Sequence, residues 1–154
     1  MKIAIAVVPD RGTLCYIDTS ALVKRYVQEP GSDAFDAFCE LPAIERVICP
    51  LGVTELTGVL QRRVRLGQMT QRQTVAVRQR FLADVACGGW RIIDIETDVF
   101  SKANNLMATL GALLATLDAL HLACALQHGA PEFATADVQL ATAARKAKLR
   151  VHTF

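Results

Sequence analysis

Short apolar runs alternate with longer stretches of helical spacing along most of the chain. The runs fall at 14–18, 46–49, 90–94, 132–135 and 150–153. Each is brief and mostly apolar, as strands buried on both faces of a parallel sheet tend to be. The stretches between them predict helices over 20–28, from Pro30 to about Glu40, and over 52–66, 71–87, 98–110, 117–128 and 138–147. Their ends carry the expected punctuation. Pro30 suits a first helical position, Thr70 and either Thr97 or Asp98 can cap a helix start, and Gly67, Gly88-Gly89, Gly111 and Gly129 can end one. Strands separated by helices predict an α/β fold with a parallel sheet and helices on both faces. Residues 1–12 fall outside this alternation and read as either an extra edge strand or a loose arm.

A chain of 154 residues is expected to form one domain, long enough to bury a core. Apolar residues make up 52%, which is rich for a monomer and suggests that part of the surface is covered by another chain. No apolar stretch is long enough to predict a transmembrane helix. The run Ile3–Val8 stops at Pro9 with no small-residue cleavage site after it, so it is not read as a signal peptide. Cysteines 15, 39, 49, 87 and 124 are odd in number and widely spaced, without a CxxC or a Cys–His cluster of zinc spacing. They read as reduced thiols of a cytoplasmic protein.

Candidate chemistry enters with four acids. Asp18 closes the first strand run, Glu55 follows the second, Asp118 opens the stretch Asp118–Ala123, and Asp137 ends Phe133–Ala136. Each alone could be a cap or a solvated residue. The carboxyl ends of parallel strands share one edge, where ligands bind. Four acids at that edge would repel one another unless a cation lay between them, and hard divalent ions prefer oxygen donors, which points to Mg²⁺ or Mn²⁺. Thr19, Ser20 and Thr135 place hydroxyls beside the acids, where they could hold an acid or a water, or simply cap. Asp94, Glu96 and Asp98 read as loop and capping residues. His121 reads as a satisfied core or interface histidine, and His128 and His152 as surface or chain-end residues.

The net charge of +2 says little, but its distribution says more. From Leu56 to Ala83 there is no acidic residue, while Arg62, Arg63, Arg65, Arg72, Arg78 and Arg80 all fall there. Guanidinium groups suit phosphate backbones, so this segment is expected to contact nucleic acid, with Arg62, Arg63, Arg65 and Arg72 nearest the acids in sequence. Arg145, Lys146, Lys148 and Arg150 form a second basic cluster.

The blocks Tyr16–Lys24, Thr54-Glu55-Leu56, Leu117–Ala123 and Phe133–Asp137 resemble, in order and spacing, PIN-domain proteins of the VapC toxin type. The resemblance runs from about Leu14 to the C-terminus. It implies a three-layer α/β/α sandwich around about five parallel strands, with Asp18, Glu55, Asp118 and Asp137 as the acidic quartet that holds Mg²⁺ or Mn²⁺. It also implies that Thr19 or Ser20, and Thr135, support the acids, that RNA is the substrate, that the chain forms a homodimer, and that an antitoxin partner occupies the groove. One position departs from the pattern: relatives often carry a basic residue three places before the third acid, where this chain has Ala115.

The expected chemistry is metal-assisted hydrolysis of a phosphodiester, in which the ion lowers the pKa of a water and offsets charge on the leaving oxygen. Three other readings compete. A receiver-type signalling domain would need paired acids after the first strand and a lysine after the last, and neither is in register. A non-catalytic RNA- or partner-binding PIN domain would fit the Ala115 departure. A PIN nuclease of RNA maturation would lack an antitoxin.

Overall fold

The computed structural model describes residues 12–154; the predicted edge strand or arm before Gly12 lies outside them. Five strands appear where the apolar runs placed them: β1 (Thr13–Ile17), β2 (Ile44–Ile48), β3 (Arg91–Ile92), β4 (Glu132–Thr135) and β5 (Arg150–Thr153). They form one parallel sheet in the order β3-β2-β1-β4-β5. Seven α-helices connect them: α1 (Thr19–Lys24), α2 (Ser32–Cys39), α3 (Pro50–Arg65), α4 (Gln71–Ala86), α5 (Val99–Leu110), α6 (Thr116–Gln127) and α7 (Val138–Lys146).

Alternate strand residues feed two cores. Tyr16, Val47 and Phe133 point to one face and pack with Val99, Ala103, Leu122 and Leu140 from α5, α6 and α7. Cys15, Ile17, Ile48 and Ala134 point to the other and pack with Leu22, Phe35, Leu56, Leu60 and Phe81 from α1 to α4. This is the three-layer sandwich expected of buried parallel strands. Fully buried residues such as Ile17, Ile48, Phe133 and Leu140 each contribute about 1.5–3 kcal/mol of burial energy.

Four elements have boundaries that differ notably from the sequence reading. The first helix ends at Lys24, not 28, and the next starts at Ser32 rather than Pro30. Gly31 is its N-cap at φ +89°, and a Cβ there would lie 2.7 Å from the backbone carbon of Phe154, so the chain end and this turn need a residue without a side chain. The third strand shrinks to Arg91–Ile92, because Trp90 turns inward, where its indole N–H donates to Tyr26 Oη at 2.6 Å. Pro50 takes the first position of α3, two residues before the predicted start.

β1 lies in the middle of the sheet, with β2 on one side and β4 on the other, so the strand order reverses at its carboxyl end. That reversal opens the crevice in which doubly wound sheets bind ligands. Among the described residues no helix is long and apolar enough to cross a membrane.

Candidate active site

The crevice beyond β1 is a cavity of about 390 Å³ lined by Asp18, Thr19, Ser20, Val23, Glu55, Gly58, Val59, Asp118 and Asp137. All four predicted acids therefore meet. Asp18 follows β1 and is the N-cap of α1; Asp137 follows β4 and is the N-cap of α7, its Oδ1 accepting from Leu140 N at 2.8 Å. Glu55 stands in the second turn of α3. Asp118 reaches the same edge from the other direction: α6 leads into β4 through a short loop, so its first turn lies at the carboxyl edge.

The hydroxyls hold the acids. Asp18 Oδ2 accepts from Ser20 Oγ at 2.5 Å, from Thr135 Oγ1 at 3.0 Å and from Ser20 N at 3.2 Å. Ser20 Oγ in turn accepts from Ala136 N at 2.8 Å, and Thr135 Oγ1 accepts from Asp137 N at 3.0 Å. The first acid, the two hydroxyls and the backbone leading to Asp137 are thus one network. Thr19 serves the other side, donating to Glu55 Oε2 at 2.5 Å.

His121 is where the structure exceeds the sequence reading. It is a buried histidine, as expected, but it is bonded to the acids. Its Nε2 lies 2.5 Å from Glu55 Oε2 and 3.8 Å from Asp18 Oδ1, while Nδ1 meets the Tyr16 hydroxyl at 2.7 Å. Asp118 and His121 sit three apart on α6, so they share a face. That i, i+3 spacing was the available signal.

The electrostatics follow from this layout. Burial opposes a charge on His121, yet hydrogen bonds to Cys49 and Glu55 and the charges of Asp18 and Glu55 push its pKa up to about 10. Burial would raise Glu55, but hydrogen bonds from His121 and Thr19 outweigh it and hold the carboxyl below its usual value. Asp118 lacks such help: burial, then the charges of Asp18 and Asp137, push it up to about 6. One imidazolium against four carboxylates leaves a formal excess of three negative charges when all are ionised. An all-oxygen donor set with that excess fits a hard divalent cation.

The predicted phosphate-contacting arginines fall into two groups. Arg62 continues the face of α3 that carries Glu55, Gly58 and Val59, about 10 Å farther along the axis, and is exposed. Arg65 and Arg72 are exposed on the α3–α4 turn region. Arg63 is half-buried and engaged by Glu29. Arg80 lies over the Tyr26 ring at 5.5 Å. Ala115 is the N-cap of α6 and brings no cation to the rim. Glu96 and Asp98 accept hydrogen bonds from Gln127, outside the cavity.

Comparison with protein families finds that the PIN domain matches residues 15–146. The chain belongs to the PIN-domain family. Solved structures of similar shape include VapBC2 from Rickettsia felis, bound to a DNA fragment from its promoter, at TM-score 0.66 and 14% identity, covering 92% of this chain and 99% of that chain. Mycobacterium tuberculosis VapC20, a toxin that cleaves the sarcin-ricin loop, matches at TM-score 0.64 and 16% identity, covering 84% and 94%. FitAcB from Neisseria gonorrhoeae matches at TM-score 0.65 and 17% identity, covering 90% and 96%. No curated protein matches the chain. At these identities the solved structures establish the shared fold, and the PIN-domain match establishes the family.

Proposed function

We propose that this PIN domain is a metal-dependent ribonuclease and the toxin of a toxin–antitoxin pair. The observation that carries the reading is the convergence of Asp18, Glu55, Asp118 and Asp137 on one cavity, with an unbalanced negative charge. These four carboxylates would hold Mg²⁺ or Mn²⁺. When bound, the ion supplies Lewis-acid charge and a water of lowered pKa.

The chain's own residues do the rest. Ser20 and Thr135 fix the Asp18 carboxylate, and Thr19 with His121 fixes Glu55, so the donors are preorganised. Arg62, Arg65 and Arg72 offer exposed guanidinium groups to the phosphates of an RNA strand that enters along α3. Arg63, tied to Glu29, contributes less. With these arginines outside the acidic cavity, the substrate backbone is attracted to the rim and the scissile phosphate meets the carboxylates only when a cation offsets them.

VapBC2 and FitAcB, whose folds this domain shares, favour an antitoxin partner, and a homodimer would cover part of the apolar surface. The decisive test incubates the purified protein with total RNA in Mg²⁺, in Mn²⁺ and in chelator. Cleavage is expected with metal, lost with chelator and lost in Asp18→Asn. Cleavage that persists in folded Asp18→Asn, or in chelator, refutes the assignment.

A further inference from the structure

A second group of metal-binding side chains lies on a different part of the sheet. Cys15, Glu132 and His152 come from β1, β4 and β5, and their Sγ, carboxylate oxygen and ring nitrogen all lie within 4.8 Å of one another. Cys15 and Glu132 are paired across β1 and β4; Glu132 pairs with Arg150, two residues before His152. All three therefore face the α1–α4 side of the sheet. Cys15 stands three strand residues before Asp18, about 10 Å from the acidic crevice.

The trio is protected. Cys15 is fully buried and Glu132 is 5% exposed. The His152 ring packs on Phe38 at 4.8 Å between centroids. A carboxylate in such a place needs compensation. It receives it from His152 Nε2 at 2.7 Å and from Arg150 at 3.2 Å, but the Arg150 side chain is 76% exposed, so that contact is worth little. The Cys15 thiol makes only a 3.8 Å contact with a backbone carbonyl. Burial, then the Glu132 charge, pushes its pKa up, so without a cation it stays protonated.

We propose that Cys15, Glu132 and His152 form a three-ligand zinc site, separate in place and chemistry from the acidic quartet. Thiolate, imidazole and carboxylate are the three donor types that zinc takes, whereas the quartet offers oxygen alone. The charges balance: thiolate and carboxylate against Zn²⁺, with a neutral imidazole. Binding sends the thiol proton to solvent, and the neutral imidazole ligates through Nε2 with its single proton on Nδ1. Ligand atoms about 2.0–2.3 Å from a tetrahedral ion stand roughly 3.3–3.8 Å from one another, so His152 Nε2 and the Glu132 carboxylate, now 2.7 Å apart, must part slightly to admit it, which rotation of their side chains supplies. His152 is partly exposed, so a water completes the fourth position. The ion would tie the edge strand β5 directly to the central strand β1, which β5 otherwise reaches only through β4.

The test uses Co²⁺ as a spectroscopic substitute for zinc, in a Cys87→Ser background that removes the exposed thiol. A thiolate-to-cobalt charge-transfer band is expected at one equivalent. It should persist in Asp18→Asn/Asp118→Asn, vanish in Cys15→Ser, and need at least about tenfold more metal in His152→Gln. Zn²⁺ should raise the midpoint of thermal unfolding of the same quartet variant. Should Cys15→Ser not fold, the partly exposed His152→Gln decides alone. Absence of the band in the folded parent, its survival in Cys15→Ser, or unchanged affinity in His152→Gln overturns the proposal. None of these readouts depends on RNA cleavage, so it stands or falls apart from the nuclease assignment.

Discussion

His121 Nε2 and Glu55 Oε2 lie 2.5 Å apart and join α6 to α3 beneath the acidic cavity. The histidine is 1% exposed and has a second anchor in the Tyr16 hydroxyl. It is both a structural tie between the two faces of the sheet and a cation built into the acid cluster.

Removing that cation leaves Glu55 facing Asp18 and Asp118 with the Thr19 hydroxyl but no counter-charge. His121→Leu is expected to cost about 3 kcal/mol, the low end for a broken buried pair, because the Glu55 side chain keeps 23% exposure and can rehydrate. Chemical denaturation measures this. A change under about 0.5 kcal/mol would mean that the pair contributes little.

The same pair sets a pH dependence. His121 has a pKa of about 10 folded against 6.5 for an ordinary histidine. Its stabilisation is therefore fully present below 6.5 and lost as the pH rises through about 10. Stability of the metal-free protein should fall across that window, and His121→Gln should flatten the fall. Parallel slopes for both proteins would contradict the argument.

Asp118 has the opposite effect on the metal-free protein. Its folded pKa of about 6 exceeds the ordinary 3.8, so its ionisation is a cost, fully felt above 6 and relieved as the pH falls toward 3.8. Asp118→Asn should stabilise the metal-free protein at pH 7.5 by about 1 kcal/mol, discounted for partial exposure, and by almost nothing near pH 4. Saturating Mg²⁺ or Mn²⁺ should reverse the sign at pH 7.5. Equal stability of the two proteins at both pH values, with and without metal, counts against like-charge repulsion in the quartet.

If Arg62, Arg65 and Arg72 each neutralise one phosphate of a single strand, changing all three to alanine should reduce the salt slope of RNA binding by about 2. Fluorescence anisotropy at several salt concentrations reads it, with catalysis blocked by Asp18→Asn. An unchanged slope would assign these arginines to solvent or to a protein partner.

Gly31 and Gly67 both have positive φ, but only Gly31 faces a neighbour. A Cβ would meet the Phe154 backbone at 2.7 Å, whereas Gly67 has nothing within 4 Å. Gly31→Ala should therefore cost more than Gly67→Ala, about 2–3 kcal/mol against about 1. Thermal unfolding of the two variants compares them, and equal midpoints would mean that the chain end yields freely.

Much of the architecture was legible along the chain. Strands β1, β2, β4 and β5 fall on apolar runs, and the helix ends follow Thr70, Gly67 and Gly129, because burial and capping are local demands that local residues meet. Two of the boundaries that moved were set by distant neighbours. Gly31 answers to Phe154, and Trp90 to Tyr26. The acids and their hydroxyls could be named from their positions beside strand ends.

The sequence by itself determined the periodicities, and with them a parallel sheet whose carboxyl edge carries Asp18, Glu55, Asp118 and Asp137. Only the tertiary structure decided what those residues meet. His121 bonds Glu55 across 66 positions, Thr135 bonds Asp18 across 117, and His152, read as a chain-end residue, meets buried Glu132 and Cys15. Such partners are chosen by strand order and side-chain direction. Hydrophobic spacing specifies which face a residue takes, but not which distant residue waits there.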